Sequence, residues 1–347
     1  MAQDVLFLSN DNLTRKKWAR DLFRILLPAT EFNDLTGTST DSVIQLKTDL
    51  AKGEGDTLTF GIRLPLTGEG IVGSATVEGN EEKLRFKDFK VTIEELNHAV
   101  DTGGKMEEQR VPYNLMVEAR DGLSYWWAEK LSNYAFAVLC GDSGFRIAGQ
   151  VFAQAISEPD TAHFIMMNDT AETSQTAADM ADLSLLDRMK QRAELPTTAG
   201  AYKVRPLKIG GKNYFRVILH TYVFDRMRQN MNAGQWGDVL RSGQKLQLPN
   251  VEFEYNGMIV SKSQRIRPSA YNASVYRNVL LGAQAAVFAW GGAGESKSTT
   301  MAFVPYEKDA KRYVMVRGGG IFGMTKTIFD SKDFGIIVGS SYATALT

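Results

Sequence analysis

One cysteine and three histidines in 347 residues leave little material for a chemical site or a covalent staple. A single cysteine, Cys140, excludes an internal disulfide and points to synthesis in a reducing compartment. The histidines, His98, His163 and His220, are widely spaced, and no cysteine pair joins any of them to make a zinc set. Glu94 and His98 stand at i and i+4, one face of a helix, but no second histidine accompanies them. Charge of one sign is also lacking. Forty basic residues balance forty acidic ones, whereas a dedicated nucleic-acid binder is usually basic. No apolar run approaches the ~18 residues of a membrane span. The opening "MAQDVLFLSNDN" has no cationic head and no long apolar stretch, so it does not read as a signal peptide. These absences lead us to expect a soluble, cytosol-made chain, long enough for a sizeable core and more than one domain.

Three stretches resemble active-site motifs. "WGGAGESKSTT" (residues 290–300) has Gly291, Lys297 and Ser298 in the register of a phosphate-binding loop. Ser296 stands where that loop needs its second glycine, however. A true loop also opens a helix whose N-terminus faces the phosphate, and "TTMAFVPYEKD" reads as a strand. The expectation is a hairpin loop of small residues. "CGDSGF" around Ser143 and "TAHF" around His163 resemble serine-protease surrounds. Here the serine precedes the histidine, Phe145 replaces a glycine, and Cys140 has no partner for a supporting disulfide. A helix C-cap accounts for Gly141 without catalysis. The neighbours Glu81-Glu82 and Glu107-Glu108 do not face one another on a helix or a strand, and read as solvated charges. No catalytic, cofactor-binding or metal-binding residue is expected.

The organisation is more informative. Residues 11–27, "DNLTRKKWARDLFRILL", form an amphipathic pattern with Trp18, Leu22, Ile25 and Leu26 on one face and a basic face opposite, stopped by Pro28. "DTLTFGIRLPLTGEG" alternates, with Leu58, Phe60, Ile62 and Leu64 pointing one way. "EKLRFKDFKVTI" alternates too, with Leu84 and Phe86, then Phe89, Val91 and Ile93 after a slip at Asp88 that suggests a bulge. A glycine-rich tip joins them. The expectation is a two-stranded tongue of roughly 35–45 Å over residues 56–93. An isolated two-stranded hairpin is marginal in water, so an adjacent subunit is the natural cover. Lys83, Lys87 and Lys90 on the return strand have the reach for a crosslink to an asparagine of another subunit.

Residues 111–141 then predict one helix of about 28 residues, roughly 42 Å, with Pro112 in its first turn and Gly141 at its C′ position. It carries one stripe: Met116, Ala119, Leu123, Trp127, Leu131, Tyr134 and Val138. Gly122 inside it is a bend point or a packing glycine. A helix in "ADLSLLDRMKQRAE" ends at Pro196. "NYFRVILH" reads as a buried strand and "TYVFDRMRQNMNAG" as a helix closed by Gly234. "VEFEYNGMIVSKS" is a hairpin turning at Asn256-Gly257, and "DFGIIVGSSYATAL" is a closing strand. There are no internal repeats.

An arm, a projecting tongue, a long helix and a compact terminal region, without an active site, resemble the Hong Kong 97-type coat proteins of tailed phages. More narrowly they are similar to the major capsid proteins of N-four-like podoviruses. The residues that carry the resemblance are "GEGDTLTFGIRLPLTGEGIVG", "EGNEEKLRFKDFKVTIEELNHAV", "YFRVILHTYVFDRMR", "YNGMIVSKSQRI" and "DFGIIVGSSYAT", in that order. It implies an α+β fold of the Hong Kong 97 type. Residues 1–55 would be the N-arm, with contacts at Trp18, Leu22 and Ile25. Residues 56–93 would be the extended E-loop, with assembly contacts at Phe60, Ile62, Leu64, Pro65, Leu66, Ile71, Val72, Leu84 and Phe86. Residues 94–202 would be the peripheral domain, with the spine helix at 111–141. Residues 203–320 would be the axial domain, holding the "GGAGESKS" loop, and 321–347 a return to the peripheral domain.

The function implied is an icosahedral shell that self-assembles around a double-stranded DNA genome. Its partners would be many copies of itself in hexamers and pentamers, a portal protein and a cement protein. Because the tongue begins by residue 56, we expect a separate scaffolding protein rather than a built-in one. The place would be the virion, assembled in the host bacterial cytoplasm, with no membrane and no sequence-specific DNA contact. The other readings are an encapsulin-like nanocompartment shell, a P-loop nucleotide-binding enzyme and a soluble binding module.

Overall fold

The computed structural model describes residues 33–49, 55–63, 66, 70–73, 76–79, 81–105, 109, 114–196, 201–230, 251–292, 301–309 and 313–346. The expected arm helix with Trp18, Leu22 and Ile25, the tongue residues Leu64 and Pro65, the Gly234 helix end and residues 293–300 lie outside them.

Short strands β1 (Thr36–Gly37) and β2 (Ile44–Lys47) come first, then β3 (Thr57–Arg63), β4 (Phe86–Thr92), β5 (Glu94–Gly104) and the long helix α1 (Leu115–Cys140). β6 (Phe164–Met166) and α2 (Leu183–Glu194) lead to β7 (Leu207–Ile209), β8 (Lys212–His220) and α3 (Thr221–Asn230). β9 (Phe253–Tyr255), β10 (Met258–Ser263), β11 (Pro268–Ser269), β12 (Asn272–Leu281) and β13 (Ala286–Trp290) follow. The chain closes with β14 (Met301–Lys308), β15 (Tyr313–Lys326), the pair β16 (Ile328–Phe329) and β17 (Lys332–Asp333), and β18 (Ile336–Tyr342).

Two sheets share one core. One runs β1-β2-β13-β15-β14, with β5 also on β15; the other runs β6-β18-β12-β8-β10-β9, with β11 on β12 and β7 on β8. The β9–β10 hairpin turns at Asn256-Gly257 as its sequence demands, with φ 47° and 70° at the two residues. β14 is an edge: among the described residues no strand lies on its far side, and Pro305 sits within it opposite Val316. Proline is tolerated at such an edge because its missing N–H faces the unpaired side.

Helix α1 starts where Asn114 accepts from the N–H groups of Met116 and Val117, later than residue 111. It ends at Gly141, whose φ of 66° and ψ of 41° are the left-handed cap that glycine adopts without strain. Its first half carries the expected stripe through Ala119, Leu123, Trp127 and Leu131. Its second half does not: every residue from Tyr134 to Cys140 is buried. The helix crosses β5 and β15 and then runs under β12, so its end is enclosed on all sides. Gly318 makes the first crossing close, since a Cβ there would lie 2.8 Å from Trp127 Nε1. Gly122 is not a packing glycine; open space surrounds it, and the helix continues through it. Among the described residues no helix is long and apolar enough to cross a membrane.

The phosphate-loop look-alike also changes meaning. Strands do flank it, but they are not the two arms of a hairpin. Trp290 pairs with Phe322 and Met301 pairs with Gly320, so both flanks run along the same third strand, β15. The Gly291 N–H still donates to Ile321 O at 2.8 Å, and the partners of Trp290 and Met301 stand two positions apart on β15. Among the described residues the segment after the loop is strand β14, and without a helix opening there the N-terminal phosphate cradle has no scaffold.

Candidate assembly surface

The tongue is two-faced, and its pairing explains why. β3 and β4 run antiparallel from Thr57↔Thr92 to Arg63↔Phe86 without a shift. The bulge expected at Asp88 is absent; Asp88 sits squarely opposite Gly61. Unbroken alternation therefore puts Phe89 and Val91 on one face and Phe86 on the other. The ladder is also shorter than expected. Seven residues per strand span about 23 Å.

The inner face is rooted on its own protomer. Phe60 stacks on Phe89 at 5.4 Å, and Phe89 meets Phe329 edge-on at 5.6 Å. Val91, Val287, Ala289 and Ile62 complete this small second core. The Thr92 N–H donates to Gln154 Oε1 at 3.1 Å, and the Ile93 N–H to Asp56 O at 2.9 Å. Lys87 ends 3.3 Å from Asp330. Of the expected contact residues, Phe60 and Ile62 thus serve the root.

Of the other expected contacts that are described, Leu66, Ile71, Val72, Leu84 and Phe86 face solvent, and Val77, which was not expected, joins them. These are six of the fourteen exposed large apolar side chains among the described residues. Val72 is 91 % exposed and Phe86 66 %. Burying such a side chain is worth roughly 1.5–3 kcal/mol, so a concentration of this kind marks an interaction site. Charge flanks it: Lys83, Arg85, Glu81 and Glu82 are neighbours in the chain, with Arg85 and Glu82 paired at 3.6 Å.

The catalytic look-alikes come apart. Ser143 Oγ donates to Glu158 Oε1 at 2.6 Å and does not meet His163. His163 pairs instead with Asp160, three residues before it. His98 stacks on Trp126 at 4.1 Å between ring centres. Glu94 and His98 lie on strand β5 rather than a helix, about 13 Å apart along it. No group of three metal-ligating side chains gathers among the described residues.

Sequence reasoning missed the buried charges. Arg277 is held by Glu172 through Nε at 2.9 Å and Nη2 at 2.7 Å, with each side chain 5 % exposed. Lys326 is held by Asp333 at 2.7 Å, with each side chain 2 % exposed. The one local signal, also passed over, was the Asp160–His163 spacing, a short turn in which Asp160 Oδ1 accepts the His163 N–H at 2.6 Å.

His220 is a different kind of histidine. It stacks flat on Tyr276 at 3.9 Å, and its Nδ1 accepts the Tyr222 N–H at 3.1 Å. Burial pushes its pKa from 6.5 down to about 4. The folded state thus excludes a proton that the unfolded chain binds below its own pKa of about 6.5. Stability is intact above that pH and is lost as pH falls towards about 4. Between about pH 7 and 4.5 this group should remove roughly 2–3 kcal/mol. Urea midpoints across that range should fall in the wild type and fall less in His220→Gln, whose amide oxygen still accepts the Tyr222 N–H.

The decisive comparison is with a family profile described as phage capsid protein, which matches residues 7–245. The chain belongs to that family. It is 26 % identical over 316 residues to the major capsid protein of Pseudomonas phage KPP25, across 85 % of this chain and 80 % of that one. The fold resembles the capsid of Ralstonia phage GP4, with a TM-score of 0.77, 24 % identity and 92 % of each chain covered. It also resembles the cyanophage Pam1 capsid, with a TM-score of 0.73, 17 % identity and coverage of 92 % of this chain and 94 % of that one. The capsid protein's architecture is therefore the Hong Kong 97 type, α+β, as its sequence led us to expect.

Proposed function

We propose that many copies of this phage capsid protein close into an icosahedral shell, the head of a tailed phage, around double-stranded DNA. One observation carries the reading. A ribbon fixed to its own protomer by one face holds six large apolar side chains in water on and beyond the other. A second copy covers them at no further cost in ordering the root. Many such contacts acting together make a stable shell from individually weak ones. The chain acts as a structural subunit rather than an enzyme, and its balanced charge suits a wall that confines DNA without tight binding.

Strand pairing supports a division of labour. The six-stranded sheet with α1 forms the peripheral body and the eight-stranded sheet the axial one. This puts β15 with β5 in the peripheral body and β18 with β12 in the axial body, so the sheets divide residues 301–346 differently from the boundary at 320 suggested by resemblance. Residues 1–55 act as the N-arm, with Trp18, Leu22 and Ile25 as its contacts. Hexamers and pentamers, a separate scaffolding protein, a portal and a cement protein remain the proposed partners, and the host cytoplasm the place of assembly.

Deleting residues 65–73, co-expressed with the phage's scaffolding protein, should leave a soluble chain that unfolds within about 1 kcal/mol of wild type. It should form no closed shells by electron microscopy or sedimentation. Normal shells from that deletion would remove the tongue from the mechanism.

A further inference from the structure

The root of the tongue is tied to a buried histidine. His163 lies in the segment before β6 with its side chain 1 % exposed. Its Nδ1 is 2.8 Å and 3.0 Å from the two carboxylate oxygens of Asp160, and its Nε2 is 3.0 Å from the carbonyl oxygen of Tyr202. A carbonyl only accepts, so Nε2 must carry hydrogen. Asp160 is committed to accepting as well: Oδ1 takes the His163 N–H at 2.6 Å and Oδ2 takes the Asp333 N–H at 3.0 Å. Burial raises the pKa of Asp160, but its bonds to His163 and to the Asp333 N–H outweigh that and hold it below the usual carboxylate range. The carboxylate is therefore ionised, and Nδ1 must also carry hydrogen. Only the doubly protonated ring satisfies both sides.

The partners of that ring lead to the tongue by two short routes. On one side, Tyr202 packs its ring edge-on against Phe329 and Phe334, at 6.4 Å and 5.7 Å. Phe329 in turn props Phe89 of β4. On the other side, Asp160 exchanges backbone hydrogen bonds with Asp333: Asp160 N–H to Asp333 Oδ2 at 3.2 Å, and the reverse bond already described. Asp333 grips Lys326, whose Nζ also donates to Glu158 O at 2.8 Å. The hairpin β16–β17 is thereby pinned, and its turn residue Asp330 holds Lys87 of the tongue.

We propose that His163 is a proton-held latch for the tongue: charged, it fixes Tyr202 and the β16–β17 hairpin under β4, and on losing its proton it frees the tongue's root to swing. This rests on the tongue being the assembly arm, and it adds the condition under which that arm is set. The charged groups facing the ring are Asp160 on its own segment, Asp333 on β17 and, behind it, Lys326 on β15. Arg192 on α2 reaches the same segment through Ala162 O at 3.0 Å. Lys87 and Asp330 lie on the far side of Tyr202. Burial lowers the affinity of His163 for its proton, but the Asp160 carboxylate and the Tyr202 carbonyl outweigh it, and the pKa is raised above 6.5. A raised value means the latch holds below the unfolded pKa and is lost as pH rises through the folded one.

The test is hydrogen exchange read by mass spectrometry on the unassembled full chain, from about pH 6 to 8.5, corrected for intrinsic exchange. Peptides spanning β3 and β4 should lose protection about tenfold or more as pH rises, while the buried end of α1 holds. His163→Gln, which can satisfy only one partner and never charges, should show low, flat protection at the root. Asp160→Asn, which keeps an acceptor but removes the charge, should move the transition to lower pH. It also serves as the second variant if His163→Gln does not fold. A flat wild-type profile, or an unchanged transition in Asp160→Asn, overturns the latch. Shells that fail to depend on the tongue would instead overturn the assembly reading, because the exchange profile is measured without assembly.

Discussion

Glu172→Gln should lower the stability of the protomer by about 3–5 kcal/mol, because it leaves the Arg277 guanidinium charged, buried and without its counter-charge. Both Glu172 oxygens are in use: Oε1 accepts Nε of Arg277, and Oε2 accepts Nη2 together with the Ser269 hydroxyl at 2.9 Å. An amide offers one acceptor in place of two and turns an N–H₂ towards the guanidinium. The third arm of Arg277, Nη1, donates at 2.6 Å to the carbonyl of Gly141, the cap of α1. One side chain thus joins the end of the helix, strand β12 and the turn at Glu172. The pair need not be a net gain over an apolar core; buried ion pairs often are not. The double change Glu172→Leu with Arg277→Met should therefore recover much of the loss. It should stop short of wild type by about 1–2 kcal/mol, since Gly141 O loses its donor. Chemical denaturation of Glu172→Gln and of the double variant against wild type measures both effects. If Glu172→Gln costs under about 1 kcal/mol, the pair is not buried as described.

Gly323→Ala should be the most damaging single methyl in the chain. An added Cβ would stand 2.0 Å from Thr92 O and 3.0 Å from Thr92 C, both backbone atoms where β4 passes into β5. Backbone cannot turn aside as a side chain can, so strand or tongue must shift, at on the order of 3 kcal/mol or more. Gly319→Ala is the control. Its nearest obstacle, at 2.3 Å, is Asn97 Oδ1, the end of an exposed side chain that can rotate away. Soluble yield and urea midpoint should fall sharply for the first and slightly for the second. Equal effects would show that the crossing of β15 over the tongue's root is looser than drawn.

What could be read in advance follows from how local each cause is. Gly141, Asn256-Gly257 and Pro196 act within a few residues, and the elements they bound stand where the sequence put them. The alternation of β3 was readable for the same reason. The return strand was misread because Phe86 is apolar and was assumed to share a face with Phe89; the register shows it exposed on the other side. An apolar residue kept in water breaks the pattern on which periodicity arguments rest, and it does so where the candidate site lies. The stripe on α1 failed at its C-terminal half because β12 of the second sheet, more than a hundred positions later in the chain, covers it there. Arg277 with Glu172, and His163 with Tyr202, are likewise long-range meetings that no spacing rule announces.

The edge position of β14, on whose far side no described strand lies, has a consequence for a protein that must exist at very high local concentration. An edge strand invites a neighbour's strand, and identical chains crowded together can run on into fibres. Pro305 removes one donor from the middle of that strand. Growth by end-to-end strand stacking is spoiled there, which leaves curvature and closure, rather than an endless filament, as the outcome open to a crowd of copies.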